Sequence, residues 1–295
     1  METVAVDNKI KQVVSNIRNL PTPPIVFHQI QKVISDPNVS AAQIANILAE
    51  DPAISVKVLK LTNSAFYGLA REVDSVKHAV VIVGVEAIKN LVLSASVLDM
   101  FKSDSVDQEF QESYWRHSLA TGFCCRFLAK KLQAHGMVNG DSAFSSGLLH
   151  DIGKMVIGCF LPDEHARLRE ERAEDCEAQD FELENRILGY NHAQIGAFLA
   201  VQWKLPGRLA ESIDFHHQPR LGEEDDPISY VVHIGDFVAK RTFYDADKAH
   251  LIGTLDPEVM SYMQITESDL DEYSDMLREE YVKAETFIQM AGIGK

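Results

Sequence analysis

Apolar residues recur along this 295-residue chain at intervals of three and four, which is the spacing of one face of an α-helix. An early example is the set Ile25, Ile30, Val33 and Ile34. Almost no segment alternates apolar and polar residues as a half-buried strand would, and no repeat of fixed period divides the chain. The pattern therefore predicts an all-α fold built from many helices.

Residues that favour the first turn of a helix mark several helix starts. They are N-cap side chains, and all except Asp74-Ser75 are followed by proline or by glutamine three residues later. These starts lie at Ser40, Asp51, Asp74-Ser75, Asn191 and Asp256. Gly84 is expected to separate two helices, and Ser268 to Met290 is predicted to form one long acidic helix. The polar and aromatic box from Asn63 to Gly68 is either a core turn between helices or an exposed contact.

The stretch from Gly147 to Lys154 sets His150 and Asp151 beside each other within what is predicted to be one apolar helix. An unpaired imidazole and carboxylate are costly to bury, and a divalent transition metal would offset that cost. Lys154 lies four residues after His150, so it returns to the same helical face with a charge suited to a phosphate oxygen. The alternative is a helix with one solvated edge, and this stretch alone leaves both interpretations open.

Further histidines lie in separate predicted helices of the second half of the chain. They are His117, His192, the vicinal pair His216-His217, and His233, which shares a face with Asp236. Taken singly, each histidine is more often a hydrogen-bonded core residue than a ligand. Taken together, five elements of one bundle could furnish two metal centres with open positions for water, as metal-assisted hydrolysis of phosphate esters requires. The isolated histidines receive no role: His28, His78, His135, His165 and His250.

The formal net charge is -16, and the acidic residues concentrate at 163–184 and 256–285. Because the chain has no run of lysines and arginines, we do not expect it to bind a nucleic-acid polymer. A phosphate ligand would have to be captured locally, by metal or by Lys154.

The cellular compartment is predicted from three negative observations. The four cysteines show no C-x-x-C spacing, which is typical of packing residues in a reducing compartment. The first residues contain acidic side chains and no apolar signal segment. The most apolar run, Ala79 to Val85, is far shorter than the roughly 18 residues of a membrane span. We therefore expect a cytoplasmic protein that does not contact a membrane.

The histidines and aspartates in this order resemble a known signature. His117, His150-Asp151 and Asp236 resemble the H…HD…D pattern of the HD superfamily of metal-dependent phosphohydrolases, and the segment ending at Lys154 resembles its HD-GYP branch. Roughly residues 17 to 240 are similar to the HDOD module, the HD-related output domain of bacterial signalling proteins. The features that carry this second resemblance are Leu20-Pro21, Asp51-Pro52, the box Asn63-Ser-Ala-Phe-Tyr-Gly68, Ala79 and Gly84.

The resemblance implies an architecture and a site. The architecture is an N-terminal helical part, about 17–105, packed on an HD-like bundle, about 106–240, with 241–295 as an acidic helical extension. The site would hold two divalent ions, Fe, Mn or Zn, with Asp151 bridging them and Lys154 contacting phosphate. The metal ligands implied are His117, His150, Asp151, His192, His216, His217 and Asp236.

The chain departs from the HD-GYP pattern in two places. Gln218-Pro219 follows the vicinal histidines where a Gly-Tyr-Pro loop is expected, so cyclic-di-GMP hydrolysis is not expected. Ser113 stands where a bridging acid is expected, and the neighbouring Glu112 is turned by about 100° on an ideal helix. Two functions stay open: a metal-dependent hydrolase of phosphate esters or nucleotides, and a non-catalytic regulatory module that contacts signalling proteins in trans.

Overall fold

The computed structural model describes residues 2–17, 20–34, 36, 38–101, 107–132, 138–222 and 227–291. These residues form seventeen α-helices and no β-strand, so the predicted all-α fold is confirmed. The chain divides into two compact units, one comprising Met1–Leu20 with Ser103–Arg278 and the other Pro21–Lys102 with Glu279–Lys295. The division at residues 105 and 240 stays a prediction.

The larger unit contains eleven of the helices of the described residues, numbered in chain order. They are α1 Glu2–Ser15, α7 Gln108–Leu132, α8 Gly140–Leu149, α9 Ile152–Phe160, α10 Pro162–Glu174, α11 Asp180–Leu188, α12 His192–Gln202, α13 Gly207–Asp214, α14 Ile228–Phe243, α15 Pro257–Met263 and α16 Glu267–Tyr281. Helix α7 packs against α8 and α14, and α12 packs against α9 and α13. Short 3-10 helices lie at Pro219–Leu221 and Ala246–Ile252.

Close helix crossings in this unit depend on glycines. A Cβ on Gly147 would lie 2.8 Å from the Cα of Gly122, so α7 and α8 approach each other backbone to backbone. A Cβ on Gly153 would lie 1.9 Å from the carbonyl oxygen of His192, where α9 crosses α12. Both crossings bring histidine-bearing elements together, because Gly147 lies three residues before His150 and Gly153 touches His192 itself.

The smaller unit consists of a run of short helices and the C-terminal helix. They are α2 Ile25–Val33, α3 Ala41–Ala49, α4 Pro52–Thr62, α5 Val76–Val83, α6 Val85–Met100 and α17 Glu285–Ala291. The predicted caps at Ser40, Asp51 and Ser75 each accept a hydrogen bond from the backbone N–H three residues later. Gly84 has φ of 90°, a left-handed conformation that lets α5 turn into α6.

The polar and aromatic box after α4 forms a core turn. The Asn63 side-chain amide donates to the carbonyl of Val73 and accepts from its N–H, both at 2.7 Å. Phe66 is buried and meets the ring of Phe287 edge to face, with 5.2 Å between centroids. The alternative of an exposed contact is therefore wrong for Phe66, whereas Asn63 is exposed although its amide is engaged by the backbone of Val73.

Two predicted helices differ from the observed ones. The acidic helix predicted over Ser268 to Met290 is broken into α16, the 3-10 turn Val282–Ala284 and α17. The apolar helix predicted through His150 and Asp151 also breaks, because α8 ends at Leu149 and α9 begins at Ile152. The pair therefore lies at a junction between helices, with the closely packed Gly147 and Gly153 on either side of it.

No helix of the described residues is, taken singly, long and apolar enough to cross a membrane. The consecutive helices α5 and α6 meet the criteria of length and hydropathy only when they are counted as one segment. The two helix axes are bent by 119° relative to each other.

Candidate metal centre

Five separate elements of the larger unit bring the seven predicted ligands together. His117 lies on α7, His150-Asp151 at the α8–α9 junction, and Asp236 on α14. His192 is the first residue of α12, fixed by the capping box of Asn191 and Gln194 as the sequence predicts. His216 and His217 follow the end of α13, and of the seven His150, Asp151, His192, His216 and Asp236 are classed as buried.

The ligand atoms form two groups that share Asp151. One group contains Asp151, His192, His216 and His217, and the other contains His117, His150 and Asp151. In each group the atoms lie within 4.8 Å of one another. Asp236 Oδ1 extends the second group, since it lies 3.0 Å from His117 Nε2 and 3.6 Å from His150 Nε2. That these residues bind metal stays a prediction.

Asp151 directs one oxygen towards each group. Its Oδ1 lies 3.0 Å from His192 Nε2 and 3.5 Å from His216 Nε2. Its Oδ2 lies 3.4 Å from His150 Nε2 and 3.7 Å from His117 Nε2. This is the arrangement that a carboxylate shared between two cations requires.

Hydrogen bonds at Nδ1 fix which nitrogen of three imidazoles faces the centre. Nδ1 of His150 donates to the carbonyl of Gly147, and Nδ1 of His216 donates to the carbonyl of Ile213, both at 2.7 Å. Because a carbonyl can only accept, the proton is on Nδ1, and the lone pair of the neutral ring is on Nε2. His192 follows the same rule, since its Nδ1 lies 2.6 Å from Glu184 Oε2.

Several buried atoms at the centre have no hydrogen-bond partner among the described residues. They are Asp151 Oδ1, Asp236 Oδ1 and His216 Nε2. Asp151 Oδ1 lies 3.0 Å from His192 Nε2. It receives no hydrogen bond from that nitrogen, because the proton of His192 is on Nδ1. Buried electron-pair donors without a donor group opposite them are costly, and a cation satisfies them together.

The pKa values of the buried imidazoles show where negative charge concentrates. Burial opposes protonation of His150, but the carboxylates of Asp151 and Asp236 outweigh it and raise the pKa to about 9. Burial lowers the pKa of His216 to about 4, and the negative charge of Asp151 only partly opposes this effect. The two carboxylates thus favour a positive charge at the centre.

Lys154 contacts carboxylates on both sides. Its Nζ lies 2.8 Å from Asp151 Oδ2 and 3.1 Å from Asp180 Oδ2, and Arg172 binds the other oxygen of Asp180. Burial lowers the pKa of Lys154, but these carboxylates outweigh it and hold the pKa well above its usual range. Lys154 therefore balances buried negative charge, a structural role that the sequence did not indicate.

Three residues near the centre were not predicted. Glu184 accepts from both the backbone N–H and Nδ1 of His192, at 2.7 and 2.6 Å. Lys240 donates to Asp236 Oδ2 at 2.8 Å, and Asp180 pairs with Lys154. The four-residue spacing from Asp236 to Lys240 was a usable signal. Glu184 gave none, because it lies in an acidic stretch that is typical of a solvated surface.

Two candidates weighed from the sequence lie outside the ligand groups. His233 donates from Nδ1 to the carbonyl of His216 and accepts at Nε2 from the N–H of Asp256, so both nitrogens are engaged by backbone. Glu112 forms a surface ion pair with Arg116 at 2.7 Å. His135, which received no role, lies outside the described residues.

Comparison with known proteins identifies the family of the chain. The family model of the HDOD domain matches residues 20–219, and the chain belongs to that family. An uncharacterised protein of Treponema pallidum is 30% identical over 217 residues, which is 73% of this chain and 41% of that protein. The chain thus spans less than half the length of that relative.

Solved structures of low sequence identity share the fold. An HDOD domain protein of unknown function from Geobacter sulfurreducens is 20% identical, with a TM-score of 0.73, and the match covers 98% of this chain and 97% of that one. A protein from Shewanella amazonensis, provisionally named a phosphohydrolase, is 23% identical with a TM-score of 0.72, over 95% and 97% of the two chains. These similarities establish the fold.

Proposed function

We propose that this HDOD protein binds two divalent transition-metal ions and hydrolyses phosphate esters in a bacterial signalling pathway. The observation that carries the proposal is the convergence of buried imidazole nitrogens on the shared carboxylate of Asp151. Two structural neighbours provisionally named as phosphohydrolases, one of them as metal-dependent, support it.

The donor atoms fit such ions. Imidazole nitrogen and carboxylate oxygen suit Zn²⁺, Fe²⁺ and Mn²⁺. One ion would be held by Asp151, His192, His216 and His217. The other ion would be held by Asp151 together with His117, His150 and Asp236. When bound, such ions would supply Lewis acidity towards phosphoryl oxygens and would activate water as a nucleophile at neutral pH.

The residues around the ligands hold them in place. Glu184 fixes the ring of His192 through Nδ1, and backbone carbonyls fix His150 and His216 in the same way. Lys154 holds Asp151 through Oδ2 and thereby limits its rotation. Outer hydrogen bonds of this kind fix the tautomer and orientation of a ligand and raise its basicity.

The metal is tested by elemental analysis of protein purified without added metal. We expect about two transition-metal ions per chain in the wild type and a large loss in Asp151→Ala. His78→Ala is the matched control, because His78 is a half-exposed histidine of the smaller unit. A wild-type stoichiometry near zero that dialysis against Mn, Fe or Zn does not change would refute the proposed site.

The activity is tested by turnover of a panel of phosphate monoesters, diesters and nucleotides, with Mn and with Fe. We expect the metal-loaded wild type to exceed Asp151→Ala on at least one substrate. The variant Lys154→Ala does not by itself distinguish a hydrolase from a regulatory module. Removing the lysine also leaves Asp151 and Asp180 without the cation that both carboxylates contact.

The second candidate function is a non-catalytic module that contacts signalling proteins in trans. It is favoured by two consecutive exposed apolar residues on α5, Val81 and Ile82, which are 66% and 49% exposed. If the metal-loaded wild type turns over every substrate no faster than Asp151→Ala, the regulatory function is the one that remains.

A further inference from the structure

Among the described residues, two cavities adjoin the candidate metal centre, and a different lysine lines each of them. The first, of about 330 Å³, contains Lys154 together with Arg169 and Arg172. None of the described residues that line it is one of the seven candidate ligands. The second, of about 430 Å³, contains Lys240 together with the candidate ligands His217 and Asp236.

The second cavity opens onto both ligand groups at once. His217 belongs to the group with Asp151 and His192, and its Nε2 lies 2.9 Å from His192 Nε2. Asp236 belongs with the other group, because its Oδ1 lies 3.0 Å from His117 Nε2. The cavity is therefore lined by one candidate ligand from each group, so a phosphoryl group bound there would lie beside both groups.

Lys240 is the one lysine or arginine among the described residues that line the second cavity. It lies one helical turn after Asp236 on α14, and its Nζ is held 2.8 Å from Asp236 Oδ2. The side chain is mostly buried, so its ammonium group is fixed in position beside the ligand carboxylate. It has further donors available for an anion, since an ammonium group carries three.

Two aromatic rings form the main apolar part of the cavity wall. The ring of Phe181 stacks on His217, with 4.4 Å between centroids and 15° between planes, and Phe237 adds a second aromatic surface. The 3-10 helix Ala246–Ile252 provides another wall, and its His250 carbonyl accepts from Gln179 at 2.8 Å. An organic group of a ligand could pack on the two rings, while the rest of the lining is mostly polar.

We propose that the second cavity binds the phosphate ester and that Lys240 contacts its phosphate group. The inference rests on the proposed function, because the cavity alone is unfavourable to an anion: Glu182 and Asp236 contribute two negative charges against the single positive charge of Lys240. Phosphate binding therefore requires the ions. Lys154, in the other cavity, balances Asp151 and Asp180 and does not contact the ester.

The experiment is calorimetric titration of inorganic phosphate into metal-loaded protein, with metal content measured on every sample. In samples whose metal content matches the wild type, we expect Lys240→Met to weaken phosphate binding by about tenfold to a hundredfold, the range for a hydrogen bond to a charged group. Lys240→Arg should restore binding at least in part. Lys248→Met is the matched control, because Lys248 is an exposed lysine on the neighbouring 3-10 helix.

A second variant keeps the test valid if Lys240→Met does not fold. Thr254 is exposed and lines the same cavity, so Thr254→Glu adds a carboxylate there without removing a candidate ligand. It should weaken phosphate binding and leave the metal content unchanged. Metal-loaded protein that binds phosphate equally well in the wild type, Lys240→Met and Thr254→Glu would overturn the inference, as would loss of binding in Lys154→Met alone. Absence of metal from the wild type would instead overturn the proposed function.

Discussion

Gly153→Ala tests whether the close crossing of α9 and α12 builds the metal centre. A Cβ at this position would lie 1.9 Å from the carbonyl oxygen of His192 and 2.7 Å from its carbonyl carbon. Non-bonded heavy atoms are most stable at about 3.5–4 Å, so the two helices would have to separate by roughly 1–2 Å. The obstacle is backbone, and no flexible side chain can rotate away to relieve it.

The expected loss of stability is large for a single methyl group. Overpacking costs about 1–3 kcal/mol, and a backbone clash places this substitution at the upper end. For a unit of this size each kcal/mol lowers the melting temperature by about 2–4 °C, so the larger unit should melt about 6–12 °C lower. The 3.0 Å distance between Asp151 Oδ1 and His192 Nε2 spans the same crossing, so metal content should fall as well.

The measurement is a calorimetric melting curve with metal analysis of the same sample. Gly207→Ala is the matched control, because Gly207 begins α13 and a Cβ there has nothing within 4 Å. The control should melt close to the wild type and retain its metal. The reasoning is refuted if Gly153→Ala melts within about 2 °C of the wild type and binds the same amount of metal.

Three further predictions concern residues outside the ligand set. Glu184→Gln removes the carboxylate that orients His192 and should weaken metal affinity about 10–100-fold in a chelator competition, and an unchanged affinity would contradict its positioning role. Asn63→Leu removes two hydrogen bonds of a core turn and should lower unfolding free energy by about 1–3 kcal/mol without changing metal content; a variant as stable as the wild type in a urea titration would argue against that role. Exposed Cys176 should react first with a thiol reagent on native protein, and equally fast reaction of the two buried cysteines of α7 would contradict the packing of that helix.

Local signals in the sequence predicted the helix starts correctly. Ser40, Asp51, Ser75, Asn191 and Asp256 all cap a helix as expected, because a capping residue acts within its own first turn. The period of the apolar residues likewise indicated the all-α class. These features depend on residues that are close in sequence, so a single sequence is sufficient to predict them.

Features that depend on distant packing could not be predicted in this way. Apolar residues continue on both sides of His150-Asp151, so the sequence did not indicate the break between α8 and α9 at this pair. The glycines beside the break touch other helices, which the sequence does not show. Glu184 is separated from His192 by a turn, and only the fold shows that its carboxylate is buried. Its acidity looked like surface charge because composition carries no information on burial.

Two histidines of the same chain show why the centre is better explained by a ligand than by core packing. His216 is buried and His233 is partly buried, and each donates from Nδ1 to a backbone carbonyl. His233 also accepts at Nε2 from a backbone N–H, so its hydrogen-bonding capacity is used within the chain. His216 directs Nε2 towards Asp151 Oδ1 at 3.5 Å, where neither atom faces a donor. A core that served only stability would have to satisfy both atoms as it satisfies His233, whereas a bound cation satisfies them together.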